Sequence, residues 1–206
     1  MDAEGALRER LVDVGVELVL SEGTASVGLR EIARRAGVSH GAPRRYFPTH
    51  RALLSAIARR GFEELGARSA AATAESDAPR ETLGALARVY VAYALERRGM
   101  FELMFRHDLL DSGHESAGPD GPRLREATLP MFEHVVELVA LCRAEAVGPS
   151  AVVTASALWA NLHGVAQLWS FGSLPLALGG PDDGPDDGPG RLVEAALDAH
   201  LGPVTS

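Results

Sequence analysis

The stretch "LREIARRAGVSHGAPRRYF", residues 29–47, decides the fold of the first part of the chain. Ile32 lies on the apolar face of a short helix, and Gly37 permits the left-handed backbone conformation that ends a helix. Ser39 then offers an N-cap for a second short helix, and Phe47 returns an apolar side chain to the core. A helix, a tight turn containing glycine and another short helix predict a helix-turn-helix unit.

Pro43 lies within the second of these helices. Counted from a cap at Ser39, Pro43 is the fourth helical residue, where it forfeits at most one marginal hydrogen bond and stiffens a very short helix. Gly41 leaves room for a close approach of a DNA backbone or a base edge. The proline is therefore compatible with a recognition helix, whose N-terminal residues face the major groove of DNA.

The early positions of this helix carry the residues that we expect in the groove: Ser39, His40, Gly41 and Arg45. Arginine can bind guanine through two hydrogen bonds, so Arg45 is the best single candidate for base readout. The alternative is that all four arginines form an ordinary solvated face: Arg34, Arg35, Arg44 and Arg45. The framing glycine turn and the returning aromatic residue favour the DNA interpretation for the second helix, but they give Arg34 and Arg35 no defined role.

The charge is distributed unevenly along the 206 residues. The chain carries −8 in total, with +3 in residues 1–60 (10 Arg against 7 acids) and −11 in residues 61–206 (10 Arg against 21 acids). This asymmetry indicates a small anion-facing module on an acidic body. The single Cys142 excludes an intramolecular disulfide, and its apolar surroundings in the sequence predict a small core residue.

Helical periodicity recurs along the chain, and no strand alternation of useful length occurs. We predict an all-α protein of about nine helices: a three-helix helix-turn-helix domain at 1–48 and a helical domain at 49–206. The tandem "GGPDDGPDDGPG" at 179–190 predicts a flexible acidic loop. With neither a signal peptide nor an apolar span long enough for a membrane, a cytoplasmic location is expected.

Two segments, "REIARRAGVS" (30–39) and "RRYFPTHRALL" (44–54), resemble the tetracycline-repressor-like (TetR) family of transcriptional regulators. The resemblance covers about residues 7–60 by motif and the remainder by layout. It implies that the second domain binds a ligand and forms the dimer. It also implies that Arg44, Tyr46 and His50 contact DNA phosphates, with Arg30 as a further candidate.

Three positions depart from the family pattern. Gly28 replaces the usual threonine or serine that caps the second helix and touches phosphate. Arg44 stands where a phosphate-contacting tyrosine is usual, and it keeps a donor. His50 stands where a lysine is usual, and an imidazole is only partly charged near neutral pH, which predicts weaker or pH-dependent affinity.

Two segments of the second domain point to a dimer. The helix from Ser150 to Phe171 is apolar on more than one face, as expected when one face meets its own core and another meets a partner chain. The terminal helix, Arg191 to Leu201, needs packing to persist. We expect a homodimer through helices near 150–172 and 191–201, whose two-fold symmetry suits palindromic DNA half-sites about 34–36 Å apart.

The motif W-x3-H-G, formed by Trp159, His163 and Gly164, resembles the C-terminal domain type named WHG. Trp159 and His163 share a helix face, and the glycine would allow a close helix approach. One interpretation places both side chains in a ligand cavity. The other makes the motif a packing element at a helix crossing or at the dimer seam, and the sequence leaves both open.

An aromatic and methionine set completes the predicted ligand site: Tyr90, Tyr93, Met100, Phe101, Met104, Phe105 and Phe132. Such stripes form the core of a protein more often than a cavity. Taken as a cavity, apolar walls with a few hydroxyls and an imidazole suit a hydrophobic or aromatic small molecule. The sequence does not identify the effector.

The leading hypothesis is therefore a dimeric repressor released by a small molecule. The alternatives are a DNA-binding regulator without a ligand, acting as activator or architectural protein, and an all-helical small-molecule-binding protein. No nucleophile or phosphate-cradling motif indicates an enzyme, and no cofactor is expected. His107, Asp108, Asp111, His114 and Glu115 fit no zinc spacing, so no metal is expected.

Overall fold

The computed structural model describes residues 3–106, 109, 124–143, 148–178 and 188–203. In chain order, these residues form ten α-helices: α1 (Ala3–Glu22), α2 (Leu29–Arg35), α3 (Pro43–Tyr46), α4 (His50–Thr73), α5 (Pro79–Glu96), α6 (Arg98–Met104), α7 (Leu124–Cys142), α8 (Ala151–Ser170), α9 (Ser173–Ala177) and α10 (Gly188–Leu201). A 3-10 helix, Thr24–Ser26, links α1 to α2. The described residues contain no strand, and the predicted all-α class is confirmed.

The chain divides into two compact units. The first comprises residues 1–64 and 97–129, and the second comprises residues 65–96 and 130–206. The functional boundary that the sequence predicts at residue 48 stays a prediction.

The first unit is built around close approaches of α1 and α6 to their neighbours. A Cβ added at Gly15 of α1 would lie 2.4 Å from the Ile57 side chain of α4, and one added at Gly99 of α6 would lie 2.8 Å from the carbonyl oxygen of Val19. Gly61 of α4 similarly leaves space for Met104. Glycine permits these approaches because it carries no Cβ, so the helix backbone packs against side chains at Gly15 and Gly61 and against backbone at Gly99.

The second unit has a core formed by α5, α7, α8 and α10. The core side chains include Leu83 and Val91 of α5, Leu158 of α8 and Leu197 of α10. Two ion pairs fasten α10 to α5: Arg80 with Asp198 at 2.5 Å, and Arg88 with Glu194 at 2.6 Å. Arg80 also donates to the carbonyl oxygen of Leu197, in the C-terminal part of α10.

The predicted acidic loop at 179–190 extends too far towards the C-terminus. α10 begins at Gly188, so residues 188–190 are helical and the prediction is wrong for them. Residues 179–187 lie outside the described part. In the residues that are described, no helix has both the length and the apolar composition needed to cross a membrane.

Candidate functional site

α2 ends in two backbone hydrogen bonds that direct the chain into the turn. Gly37 has φ 66° and donates to the carbonyl oxygen of Arg34, while Val38 donates to that of Ala33. This pair of bonds is the Schellman motif, and it needs a residue that adopts the left-handed conformation without steric cost. The glycine turn predicted from the sequence is therefore present, and it fixes the direction in which the chain leaves α2.

α3 begins later than the sequence predicts. Its N-cap is Ala42, and Pro43 is its first helical residue. Ser39 instead accepts, through its carbonyl oxygen, a hydrogen bond from the amide of Ala42 at 2.9 Å. The predicted cap at Ser39 is wrong, because a proline has no N–H and a fixed φ, and these properties suit the first position of a helix.

α3 separates anchoring side chains from exposed ones. Pro43 is buried and Phe47, which follows α3, is 2% exposed. The residues predicted to lie in the groove are all exposed: Ser39, His40, Gly41 and Arg45. A Cβ added at Gly41 would meet no atom of the described residues within 4 Å, so they leave the space beside this residue open. Gly41 and its exposed neighbours thus lie on the solvent side of the turn and of α3.

The predicted phosphate contacts are also accessible. Arg30 and Arg44 are exposed, and Tyr46 is half-buried. Within the described residues, no ion pair to Arg30, Arg44 or Arg45 is formed. Three guanidinium groups on one helix-turn-helix unit therefore have their charge available for a partner of opposite sign.

The other two arginines of α2 are neutralised within the protein. Glu31 accepts hydrogen bonds from Arg34 at 2.5 and 2.9 Å and from Arg35 at 2.7 Å, and Arg35 also pairs with Glu22. The hydrogen bonds from both arginines lower the pKa of Glu31 to about 2. The sequence assigns no DNA-binding role to Arg34 and Arg35, and their i, i+3 and i, i+4 spacing from Glu31 is the signal that could have predicted these pairs.

His50 has a partner that the sequence does not reveal. Its Nε2 atom lies 2.5 Å from the carbonyl oxygen of Val27, which precedes α2. Because a carbonyl oxygen only accepts, Nε2 carries the hydrogen of this bond. The preceding residue, Thr49, accepts the amide of Ala52 at 3.0 Å and so caps α4.

The nine residues predicted for a ligand site fall into both compact units. Met100, Phe101, Met104 and Phe105 belong to the first. All but Phe105 are buried there, and the Phe101 and Phe105 rings pack 4.8 Å apart. The other five belong to the second unit: Tyr90, Tyr93, Phe132, Trp159 and His163.

Tyr90 joins α5 to α8 in a polar cluster of the second unit. Trp159 donates from Nε1 to the Tyr90 hydroxyl at 3.0 Å, and this hydroxyl lies 2.8 Å from Nδ1 of His163. Phe132 of α7 packs on Trp159 with ring centroids 6.0 Å apart. The structure thus brings four of the predicted ligand residues together.

Burial shifts the pKa values of two side chains in this cluster, Tyr90 and His163. Burial raises the pKa of the Tyr90 hydroxyl, whereas the bond from Trp159 acts in the opposite direction. Burial also lowers the pKa of His163, which favours the neutral imidazole. In the neutral tautomer that carries its hydrogen on Nε2, Nδ1 of His163 accepts the hydrogen of the Tyr90 hydroxyl, and the hydrogen bonds then run in one direction from Trp159 through Tyr90 to His163.

The fifth residue, Tyr93, lies in a different environment. It is fully buried, and the Arg68 guanidinium lies 5.2 Å from the centre of its ring. Gly164, which the sequence predicts to permit a close helix approach, has no such neighbour among the described residues, since an added Cβ would meet none of their atoms within 4 Å.

Several large apolar side chains of the second unit are exposed. They are Val152, Val153, Trp159, Leu168 and Phe171 on or just after α8, and Leu176 and Leu178 on or just after α9. Phe171 is 62% exposed and Leu176 is 82% exposed. A concentration of such residues on neighbouring helices is typical of a protein contact surface.

The remaining candidates are the histidine and acidic residues at 107–115 and the single cysteine. His107, Asp108, Asp111, His114 and Glu115 lie outside the described residues. Among the residues that are described, no group of three or more His, Cys, Asp or Glu could hold a metal ion. Cys142 is half-buried, and burial raises the pKa of its thiol.

Two family models match this chain. Residues 11–57 match "Bacterial regulatory proteins, tetR family", and residues 83–199 match "Tetracyclin repressor-like, C-terminal domain". The chain belongs to the TetR family. The matched ranges include the helix-turn-helix of α2 and α3 and most of the second unit, and the WHG subtype stays a prediction.

Individual proteins show the same likeness. The HTH-type transcriptional regulator BetI of Rhizobium meliloti (strain 1021) is 37% identical over 86 residues, which is 42% of this chain and 42% of BetI. A protein of unknown function from Rhodococcus sp. RHA1 is 30% identical, with a TM-score of 0.73 over 95% of this chain and 93% of that chain. The multidrug binding protein EbrR, solved with imidazole, is 26% identical, with a TM-score of 0.61 over 97% and 96% of the two chains.

Proposed function

We propose that this TetR-family chain is a dimeric, sequence-specific transcriptional regulator, and that it acts as a repressor released by a hydrophobic or aromatic small molecule. The observation that carries the proposal is the charge pattern of the helix-turn-helix. Arg30, Arg44 and Arg45 are exposed and have no acidic partner among the described residues, while Arg34 and Arg35 of the same unit are paired. An unpaired cluster of this kind is suited to phosphates and base edges.

Selection of bound sequences from a random pool of DNA duplexes tests this function. A palindrome with half-sites about one helical turn apart is the expected result, because two recognition helices related by a two-fold axis read symmetric sites. Enrichment of an asymmetric site would contradict the dimeric mode of binding. Enrichment of no sequence at moderate salt would contradict the function itself and favour a small-molecule-binding protein.

A second copy of this chain is the partner we propose for the exposed apolar surface of α8 and α9. Support comes from its side chains, since Leu168, Phe171 and Leu176 would be largely removed from water by a self-complementary contact. Replacing Phe171 and Leu176 by serine is expected to convert a dimer to a monomer in light scattering. A wild-type monomer, or a double variant that remains a dimer, would contradict this assignment.

Small-molecule control is supported by the cluster of Tyr90, Trp159 and His163 and by the likeness to EbrR, which is described as multidrug binding. We propose that an effector bound in the second domain tilts α4 and changes the separation of the two recognition helices, with a coupling free energy of about 1–3 kcal/mol. A thermal-shift screen of aromatic compounds tests it, since a ligand at 100 times its Kd stabilises the protein by about 2.7 kcal/mol. DNA binding that no stabilising compound weakens would favour a regulator without a ligand.

A further inference from the structure

The start of α2 is fixed by few interactions of its own. The helix has seven residues, and its N-cap Gly28 has no side chain, so no side-chain oxygen caps the first amides. Gly28 is extended, with φ −123° and ψ 146°. A helix this short depends on surrounding contacts for its stability, because its own hydrogen bonds do not offset the cost of starting it.

The start of α4 is, in contrast, held firmly. Thr49 caps the helix through the amide of Ala52, and Ile57 packs against Gly15 of α1 in the core of the first unit. His50, the first residue of α4, donates through Nε2 to the carbonyl oxygen of Val27, one residue before the N-cap of α2. The bond therefore connects a fixed helix start to one that has no cap.

We propose that His50 is a positioning residue, which holds the entry of α2 against α4 and thereby sets the orientation of the helix-turn-helix. The sequence predicts a phosphate contact for His50, whereas the structure directs its Nε2–H into the protein. A neutral imidazole is sufficient for this role, so His50 contributes to DNA affinity by keeping the reading unit in its binding orientation rather than by supplying charge. The effect on affinity rests on the proposed DNA-binding function, but the bond itself is a property of the DNA-free chain.

Two uncharged amide variants separate these roles. In His50→Gln the side-chain nitrogen is as many bonds from Cβ as Nε2 of histidine, so the variant can still donate to the Val27 oxygen. In His50→Asn the nitrogen is one bond nearer the backbone, where it corresponds to Nδ1, and the donor to Val27 is lost. Both variants lack a positive charge, and they differ in reach alone.

Amide hydrogen exchange of the DNA-free protein tests the link directly. The amides at the start of α2, including Ile32, which donates to the carbonyl oxygen of Gly28 at 3.0 Å, are expected to exchange about fivefold faster in His50→Asn. His50→Gln should restore the wild-type rate. Equal exchange in both variants and the wild type would overturn the proposal, whether or not the protein binds DNA.

DNA affinity measured at several salt concentrations is the second arm. We expect His50→Asn to bind the selected operator roughly fivefold more weakly, with an unchanged salt slope, and His50→Gln to stay within about twofold of the wild type. Equal losses in both variants, or a salt slope reduced by about 0.9 as for one lost phosphate contact, would assign His50 to phosphate instead. Failure of the wild type to bind any selected DNA would refute the proposed function. Amide hydrogen exchange would then decide alone whether His50 holds the start of α2.

Discussion

Arg45 and Arg34 offer a matched pair of substitutions in the helix-turn-helix. Each alanine variant removes one positive charge from an exposed side chain, so each lowers the net charge of the same unit equally. The structural difference is that Arg34 is held by Glu31 at 2.5 and 2.9 Å, whereas Arg45 has no acidic partner in the described residues. The comparison therefore separates the effect of where a positive charge lies from the effect of losing any positive charge.

The expected magnitudes follow from these contacts. A base contact made by Arg45 contributes about 1–3 kcal/mol, so Arg45→Ala should weaken operator binding by about 5- to 150-fold. Arg34→Ala leaves Glu31 paired with Arg35, and it removes no group that is available to DNA. Its effect should be limited to the change in long-range field, about two- to threefold at moderate salt.

Fluorescence anisotropy with the selected operator and a scrambled duplex, at several salt concentrations, measures both variants. Arg45→Ala should lose its preference for the operator while remaining a folded dimer. Arg34→Ala should keep both the preference and the salt slope. Equal losses in the two variants would show that the paired and unpaired arginines are equivalent, and the reasoning from charge pairing would be refuted.

Further predictions concern glycine residues that position the helix-turn-helix and its neighbouring helices, and His163 in the polar cluster of the second unit. Gly99→Ala should lower stability by about 1 kcal/mol, because the added Cβ would lie 2.8 Å from a backbone oxygen of α1 and the overlap outweighs the gain in helix propensity. The matched change Gly66→Ala, which meets nothing within 4 Å, should raise stability by about 0.5–1 kcal/mol, and thermal unfolding followed by circular dichroism compares the two. Gly37→Ala should cost about 1–2 kcal/mol, because φ is 66°, and should reduce DNA affinity in anisotropy titrations. Burial lowers the pKa of His163, so as the pH falls below about 6.5 this side chain is protonated in the unfolded chain before it is protonated in the folded one. The free energy of unfolding should therefore decline below this pH, and it should decline less in His163→Asn. Urea unfolding at several pH values measures both.

The helix-turn-helix could be predicted because its signals are local. α2 ends where Gly37 donates to Arg34, three residues earlier, and Val38 donates to Ala33, five residues earlier, and Phe47 marks the return of the chain to the core. The start of α3 could not be predicted equally well, since Ser39 as a cap and Pro43 as a first helical residue are both acceptable by local rules. The structure starts the helix at Pro43, with Ala42 as its N-cap.

Partners distant along the chain were not predictable. Val27 lies 23 residues before His50, and the atom that accepts its hydrogen bond is a backbone carbonyl, which every residue carries. Likewise, the aromatic set predicted for one ligand site is divided between two compact units, because side-chain type does not specify where a helix packs. Trp159 and His163 could be paired from their spacing, whereas their shared partner Tyr90, 69 and 73 residues away, required the packing of α5 on α8.

The separation of buried from exposed side chains at α3 and beside it has a consequence for how operator preference can change. The side chains that hold this four-residue helix in place, Pro43 and Phe47, are different from those that face outward, His40, Arg44 and Arg45. Replacing an outward residue that is predicted to contact a base, such as Arg45, removes no core contact, so it should alter the DNA sequence recognised at little cost in folding free energy. A family of variants with new targets is therefore accessible by single substitutions, each of which retains the same scaffold.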